Sequence, residues 1–252
     1  MIEERISFAN SRGDTLSGVL HHPAPGTRRG AVILCHGMES NKESEKLVTV
    51  GRAMAQRGIM ALRFDFRYVG ESSGKFEDIT YSGEVEDLKA AHALVQSRNP
   101  GGKTAILGSS MSGTVALLIA AQQPSLAALV TVAAPIHPER FPSRGLTPAQ
   151  AEQWRVQGFT HYNGQRINLS LLRDLEGLNV PEAVKNINCP VLILHGDADE
   201  VVPIAEAHEI YAALAHSKRL SILPATDHRL SDPAVMQRAL AEALDWLTQH
   251  VG

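Results

Sequence analysis

Short apolar runs rich in branched residues recur along the chain, each followed by a turn cluster and then a longer stretch of helical period. The runs fall at 31–35, 59–64, 104–107, 128–133, 191–194 and 220–223. They are nearly continuous, not alternating, which is the pattern of parallel strands covered by helices on both faces. Upstream, 6–8 and 16–20 alternate around Asn10, Ser11, Arg12, Gly13 and Asp14, the composition of a tight turn, and predict an antiparallel hairpin at one edge. The fold class expected is therefore α/β, with a mostly parallel sheet of about eight strands.

The helical stretches lie between the strands. They cover 43–57, closed by Gly58, 82–97, closed by Asn99 and Pro100, 111–123, closed by Pro124, 204–215 and 233–250. Gly tolerates the left-handed cap and Pro cannot continue a helix, so each stop has a mechanism. One segment breaks the rhythm. Residues 136–187 carry no strand signal but hold Pro138, Pro142 and Pro148, a helical patch at 149–157, and Phe141, Trp154, Phe159 and Tyr162. So long a stretch reads as a lid or cap inserted in one α/β domain spanning 1–252.

A chain of 252 residues buries about 70–75% of its unfolded surface and needs no disulfide or metal to hold together. Lys and Arg number 24 against 27 Asp and Glu, a formal net charge of -3 with no run of like charges, so nucleic acid is not an expected partner. Two cysteines, Cys35 and Cys189, make neither a disulfide framework nor a Cys-x-x-Cys pair, which fits a reducing cytoplasm. The N-terminus has acids where a secretory signal needs a basic start, and no apolar run approaches the roughly 20 residues that span a bilayer, so no membrane is expected either.

The chemistry is concentrated in loops that follow strands. After 104–107 comes Gly108-Ser109-Ser110-Met111-Ser112-Gly113, and then a helix. A strand, a sharp turn and a helix are the context of a nucleophile elbow, where the nucleophile takes a strained backbone and the residues two before and two after must be small. Gly108 and Ser112 flank Ser110 at those positions; Ser112 departs from the usual Gly-x-Ser-x-Gly. Ser112 as nucleophile would push the turn into the helix and fits less well. A bare Ser/Gly-rich helix cap is the plainer alternative, and the decision rests on partners. A serine hydroxyl needs a base to take its proton and a carboxylate to orient that base. In chain order Ser, acid, His, each belongs at the end of a later strand. Residues 191–194 lead into His195-Gly196-Asp197-Ala198-Asp199-Glu200-Val201-Val202-Pro203, and 220–223 lead into Asp227-His228.

With these motifs the chain resembles the α/β-hydrolases, within them the cinnamoyl or feruloyl esterase-like group, related to the serine aminopeptidase-like hydrolases. The resemblance runs from His36-Gly37 to the last helix. It implies the α/β-hydrolase fold with a small inserted lid, and a Ser110, Asp199 and His228 triad. Asp199 is chosen because relatives place the acid four residues after the histidine of this stretch; Asp197 is the competitor, expected instead to bond backbone amides in the turn. Asp227 is expected to face away and shape its loop. The resemblance also implies an oxyanion hole from the backbone N–H groups of Met111 and of Met38, in Cys35-His36-Gly37-Met38.

Of 11 histidines, only His228 combines the right strand end with the right order; His36 and His195 are expected to brace turns. The stretch 63–74 resembles the family's Gly-x-Gly-x-Ser turn, with Tyr68 in place of the first glycine, and reads as structural. Glu84, Glu86 and Asp87 read as acids favoured by a helix N-terminus. No histidine or carboxylate spacing suggests a metal, and no cofactor is implied.

The function expected is hydrolysis of a small carboxylic ester, of feruloyl, cinnamoyl or short-acyl type, through an acyl-enzyme. The same triad serves a serine aminopeptidase or a thioesterase, and a hydrolase scaffold reused only for binding is the reading from another class. The sequence does not set the oligomeric state, and a homodimer is one option.

Overall fold

The structure is a computed structural model that describes residues 2–26 and 29–252. In chain order it begins with β1 (Ile2–Ala9), β2 (Thr15–His22), β3 (Gly30–Cys35), α1 (Glu45–Gln56), β4 (Ile59–Phe64), α2 (Tyr81–Arg98), β5 (Lys103–Ser109), α3 (Met111–Ala120) and β6 (Ala128–Val132). Next come α4 (Phe141–Gly145), α5 (Pro148–Gln157), β7 (Phe159–Tyr162), β8 (Gln165–Asn168), α6 (Leu169–Gly177) and α7 (Val180–Val184). The chain closes with β9 (Val191–Gly196), α8 (Ile204–Ala213), β10 (Lys218–Leu223) and α9 (Pro233–Val251).

Eight strands form one sheet in the order β1-β2-β4-β3-β5-β6-β9-β10. The β1–β2 and β2–β4 pairs are antiparallel and the rest parallel. All parallel strands therefore end at one rim, where open α/β sheets place their ligands. Several strands outrun their apolar runs. Polar Lys103 and Ser109 belong to β5 because their backbones pair with Gly30 and Val132; a ladder uses main-chain groups whatever the side chain.

Alternation along the strands splits the core in two. Val32, Leu34, Leu107, Val130 and Leu194 face α1 and α9, packing on Leu47, Val50, Met54, Ala239 and Leu247. Ala31, Ile33, Ile106, Leu129 and Ile193 face α2, α3 and α8. Helix α3 stops at Ala120, short of the expected Gln123, because Gln122 N–H bonds Ile119 O and tightens the last turn.

The expectation of no strand in 136–187 is corrected: β7 and β8 form an antiparallel hairpin. Its turn is Asn163-Gly164, both at positive φ (48° and 79°), the dipeptide that two-residue hairpins favour. That signal is present in the sequence but lies between strands too short to register as periodic. Trp154, on α5, is fully buried and belongs to the same core cluster as Ile33, Ile106 and Leu129.

The acidic cluster also differs from expectation. Asp87 accepts from Arg67 N–H and Nε and from Asn10 Nδ2, at 2.8–2.9 Å. Glu84 is fully buried, among the described residues neither of its oxygens has a partner, and burial followed by the Asp87 charge raises its carboxyl well above the ordinary value. Hydrogen bonds to Arg67 and Asn10 surround Asp87, and burial surrounds Glu84.

Candidate active site

Ser110 stands between β5 and α3 with φ 55° and ψ −123°, in the half of the backbone map that L residues rarely enter. Its neighbours hold it there. A Cβ on Gly108 would lie 2.4 Å from Ser112 O, and one on Gly113 would lie 2.6 Å from Ala134 Cβ. Only glycine lets the strand turn into the helix so sharply. Ser110 N–H donates to Val132 O at 2.8 Å, pinning the turn to β6.

Ser112, at the place of the missing glycine, is fully buried. Its Oγ accepts from Ser109 N–H at 3.0 Å and lies 3.0 Å from Cys35 O. The hydroxyl ties the elbow to the end of β3, so the departure from glycine adds a link between the two loops.

Two later loops close on Ser110. A Cβ on Gly196 would fall 2.1 Å from Thr226 O, and Ala198 N–H donates to that oxygen at 3.2 Å. This contact brings the loop after β9 against the loop after β10. His228 Nε2 lies 2.9 Å from Ser110 Oγ, and His228 Nδ1 lies 2.8 Å from Asp199 Oδ2. A carboxylate only accepts, so Nδ1 carries the proton and Nε2 is left as the acceptor for the serine hydroxyl.

Asp199 is fully buried at its side chain. Its Oδ1 accepts Val201 N–H at 2.9 Å and Val202 N–H at 2.7 Å. Burial works to raise its pKa, but the bonds from His195, His228 and Val202 outweigh it and hold the carboxyl well below the usual range. The turn bonds expected of Asp197 are thus made by Asp199, and Asp197 is exposed. His195 does more than brace a turn: Nε2 donates to Val202 O at 2.8 Å and sits 3.3 Å from Asp199 Oδ2. The four-residue spacing of His195 and Asp199 is the signal that could have shown it. Asp227 accepts Ser231 N–H at 2.8 Å within its own loop.

Met38 and Met111 both line the cleft beside Ser110, and a Cβ on Gly37 would touch Ser110 Cβ at 3.4 Å. The 36–38 loop therefore lies directly on the serine. His36 is buried; its Nε2 accepts Phe66 N–H at 3.1 Å, so Nδ1 carries the proton and donates to Gly37 O at 2.9 Å. Burial lowers its pKa and keeps the ring neutral. The motif at 63–74 has the structural role expected of it. Asp65 is fully buried and accepts Lys42 N–H, Lys42 Nζ and Glu71 N–H at 2.6–3.0 Å. Tyr68, in place of the first glycine, has φ 78°.

The cleft over Ser110 and His228 has a volume of about 730 Å³, within the ordinary size range of small-molecule sites. Tyr81, Pro138, Phe141, Arg144 and Tyr162 are among the residues that line it. Of the aromatics between β6 and β9, Phe141 and Tyr162 pack edge to face at 4.9 Å.

Sheet order and elbow together define an α/β-hydrolase. Residues 26–161 match the serine aminopeptidase S33 family, Hydrolase_4, and the chain belongs to it. An esterase domain from Rhodothermus marinus is 26% identical, with complete coverage of both chains and a TM-score of 0.77. Est1E from Butyrivibrio proteoclasticus, solved with ferulic acid, superposes with a TM-score of 0.86 at 22% identity, covering 98% of this chain and 99% of that one. The monoacylglycerol lipase of Mycolicibacterium smegmatis is 21% identical over 88% of this chain and 89% of its own. The protein is a hydrolase with esterases and a lipase among its relatives. Among the described residues no helix is long and apolar enough to cross a membrane.

Proposed function

We propose that this protein is a serine esterase that cleaves small carboxylic esters, with Ser110 as nucleophile, His228 as base and Asp199 as its orienting acid. One observation carries the reading: the continuous relay of 2.9 Å and 2.8 Å from Ser110 Oγ through His228 to Asp199. In this mechanism Ser110 Oγ attacks the acyl carbonyl as Nε2 of His228 takes its proton. The oxyanion is held by the N–H groups of Met38 and Met111, the second at a helix N-terminus. Collapse expels the alcohol with the proton from His228, and water then repeats the sequence on the acyl-enzyme. The Phe141–Tyr162 pair favours an aromatic or short acyl group, in keeping with the ferulic acid of Est1E.

A fluorophosphonate probe with peptide mapping tests the assignment. The expected adduct is on Ser110; no adduct, or one elsewhere, refutes it. Methyl ferulate, short p-nitrophenyl esters, acyl thioesters and aminoacyl anilides assayed side by side decide among ester, thioester and amide. Inertness toward all of them in a folded protein would favour the binding-protein reading.

A further inference from the structure

The relay accounts for only part of the cleft lining. Two further polar side chains that line it have hydrogen-bonding capacity that the protein leaves unspent. Tyr81 is buried, with only 6% of its surface exposed, yet it lines the cleft, and among the described residues its hydroxyl has no hydrogen-bond partner. Arg144 lines the same cleft with 19% of its side chain exposed. One of its terminal nitrogens, Nη2, bonds Glu206. A guanidinium has five N–H donors, and among the described residues no partner takes those on Nε and Nη1.

The aim of Arg144 is built in. Glu206 on α8 is 1% exposed, and its other oxygen accepts Ile136 N–H at 2.9 Å and His137 N–H at 3.1 Å, where the chain leaves β6. The carboxylate is thereby committed to the protein on both sides, and it fixes Arg144 in place. Burial and the nearby Arg140 both disfavour the Arg144 charge, and its field reaches Tyr81 and Asp199. A desolvated cation with unspent donors, beside an unspent hydroxyl, suits an incoming anion. The carboxylates on the cleft wall come from other segments, Glu39 and Glu200 from loops and Glu45 from the start of α1; Glu39 is occupied by Arg229 and Asn163 at 3.1 Å and 2.7 Å.

We propose that Arg144 and Tyr81 form an anion-recognising end of the cleft, and that the preferred substrate is an ester carrying a carboxylate. This rests on the esterase reading and narrows it to a substrate class. Arg144 supplies a charged fork and Tyr81 a neutral O–H, so a carboxylate receives donors from both.

Two matched pairs test it: monomethyl against dimethyl terephthalate, and 4-carboxyphenyl acetate against its methyl ester. The readout is the kcat/KM ratio of anion to neutral ester, compared between proteins so that intrinsic reactivity cancels. Charged hydrogen bonds of this kind change such ratios by about 10- to 100-fold. For at least one pair, Arg144→Gln should lower the ratio by that factor, Arg144→Lys by less, and Tyr81→Phe by severalfold. An unchanged ratio in folded Arg144→Gln overturns the proposal. If that variant fails to fold, Tyr81→Phe decides, and an unchanged ratio there overturns it. Calorimetry on the Ser110→Ala protein separates this from the esterase reading. Monomethyl terephthalate should bind at least tenfold tighter than the diester, and equal binding overturns the anion site whether or not any ester turns over. Absence of turnover and of probe labelling sinks the esterase reading instead.

Discussion

Asp199→Asn changes one atom of the relay, and its effect can be worked from the bonds around it. In the native site Oδ1 accepts two backbone N–H groups, while Oδ2 accepts His228 Nδ1–H and lies near the donating Nε2 of His195. An asparagine can keep the backbone pair through its carbonyl oxygen. Its NH₂ then faces two ring nitrogens that both donate. His228 escapes by moving its proton to Nε2, the tautomer that cannot take the proton of Ser110. Loss of the correct tautomer costs about 10⁴ in kcat, or ~5.5 kcal/mol of transition-state stabilisation. Stability should fall by about 1–3 kcal/mol, the cost of leaving a buried donor unmet. The assay is steady-state hydrolysis of p-nitrophenyl acetate at pH 8, with urea unfolding across pH. The sign follows from the depressed carboxyl. In the wild type its ionisation stabilises the fold fully above the ordinary aspartate value of 3.8, and this contribution drains away as pH falls toward the lower folded value. The Asp199→Asn variant, with no carboxyl to protonate at that position, has no such loss. A folded variant within tenfold of wild-type kcat refutes the orienting role, and a collapse of kcat in Asp197→Asn instead moves the role to that residue.

The elbow makes Gly108→Ala costly: the Cβ would press on Ser112 O, and overpacking predicts a loss of about 1–3 kcal/mol, read as a drop in Tm with loss of turnover. Ser112→Ala removes the Oγ bonds to Ser109 and Cys35 and should cost about 1–2 kcal/mol in chemical unfolding. His21 is fully buried and accepts from Arg63 Nε at 3.0 Å; burial, then the Arg63 charge, lowers its pKa to about 4. Because the unfolded state takes up a proton first, stability should fall as pH drops from 6.5 to 4, by up to about 1.4 kcal/mol per pH unit, and His21→Asn should flatten that slope.

Strands buried on both faces are legible because their apolar runs are continuous, and so is the strand–turn–helix elbow at Ser110, because it demands small residues at fixed offsets. His228 and Asp199 are found through chain order and family likeness together. What stays hidden is geometry across the chain. Nothing in the text around Ser112 says that its hydroxyl reaches Cys35, 77 positions away. The two aspartates of that turn are equivalent on paper, and only the fold shows that Asp199 accepts Val201 and Val202 N–H while its other oxygen faces His228. The β7–β8 hairpin escapes a reading by periodicity because four-residue strands carry too little of it, although Asn163-Gly164 marks their turn.

The buried charges beside the site act, through the turn after β4, on the loop that carries Met38, the proposed oxyanion donor. Phe66 N–H is held by His36, Arg67 N–H by Asp87, and Asp65 N–H by Ser17 O. The Asp65 side chain in turn grips Lys42, at the far end of the loop that carries Met38. A loop fixed at His36 and again at Lys42 has little freedom between, which is what a backbone donor needs if it is to meet an oxyanion without reorganisation. Removing one partner of a buried ion pair costs about 3–5 kcal/mol, so Asp65→Ala tests stability more than chemistry. Asp65→Asn is the sharper probe: its carbonyl can still accept Lys42 N–H, but the ammonium loses its buried counter-charge and keeps only the exposed Glu71 carboxylate. If the turn positions the loop, that variant should lose kcat with little change in KM, because the Met38 N–H is used chiefly in the transition state. A rise in KM at constant kcat would mean that the network shapes the cleft wall and leaves the oxyanion loop unaffected.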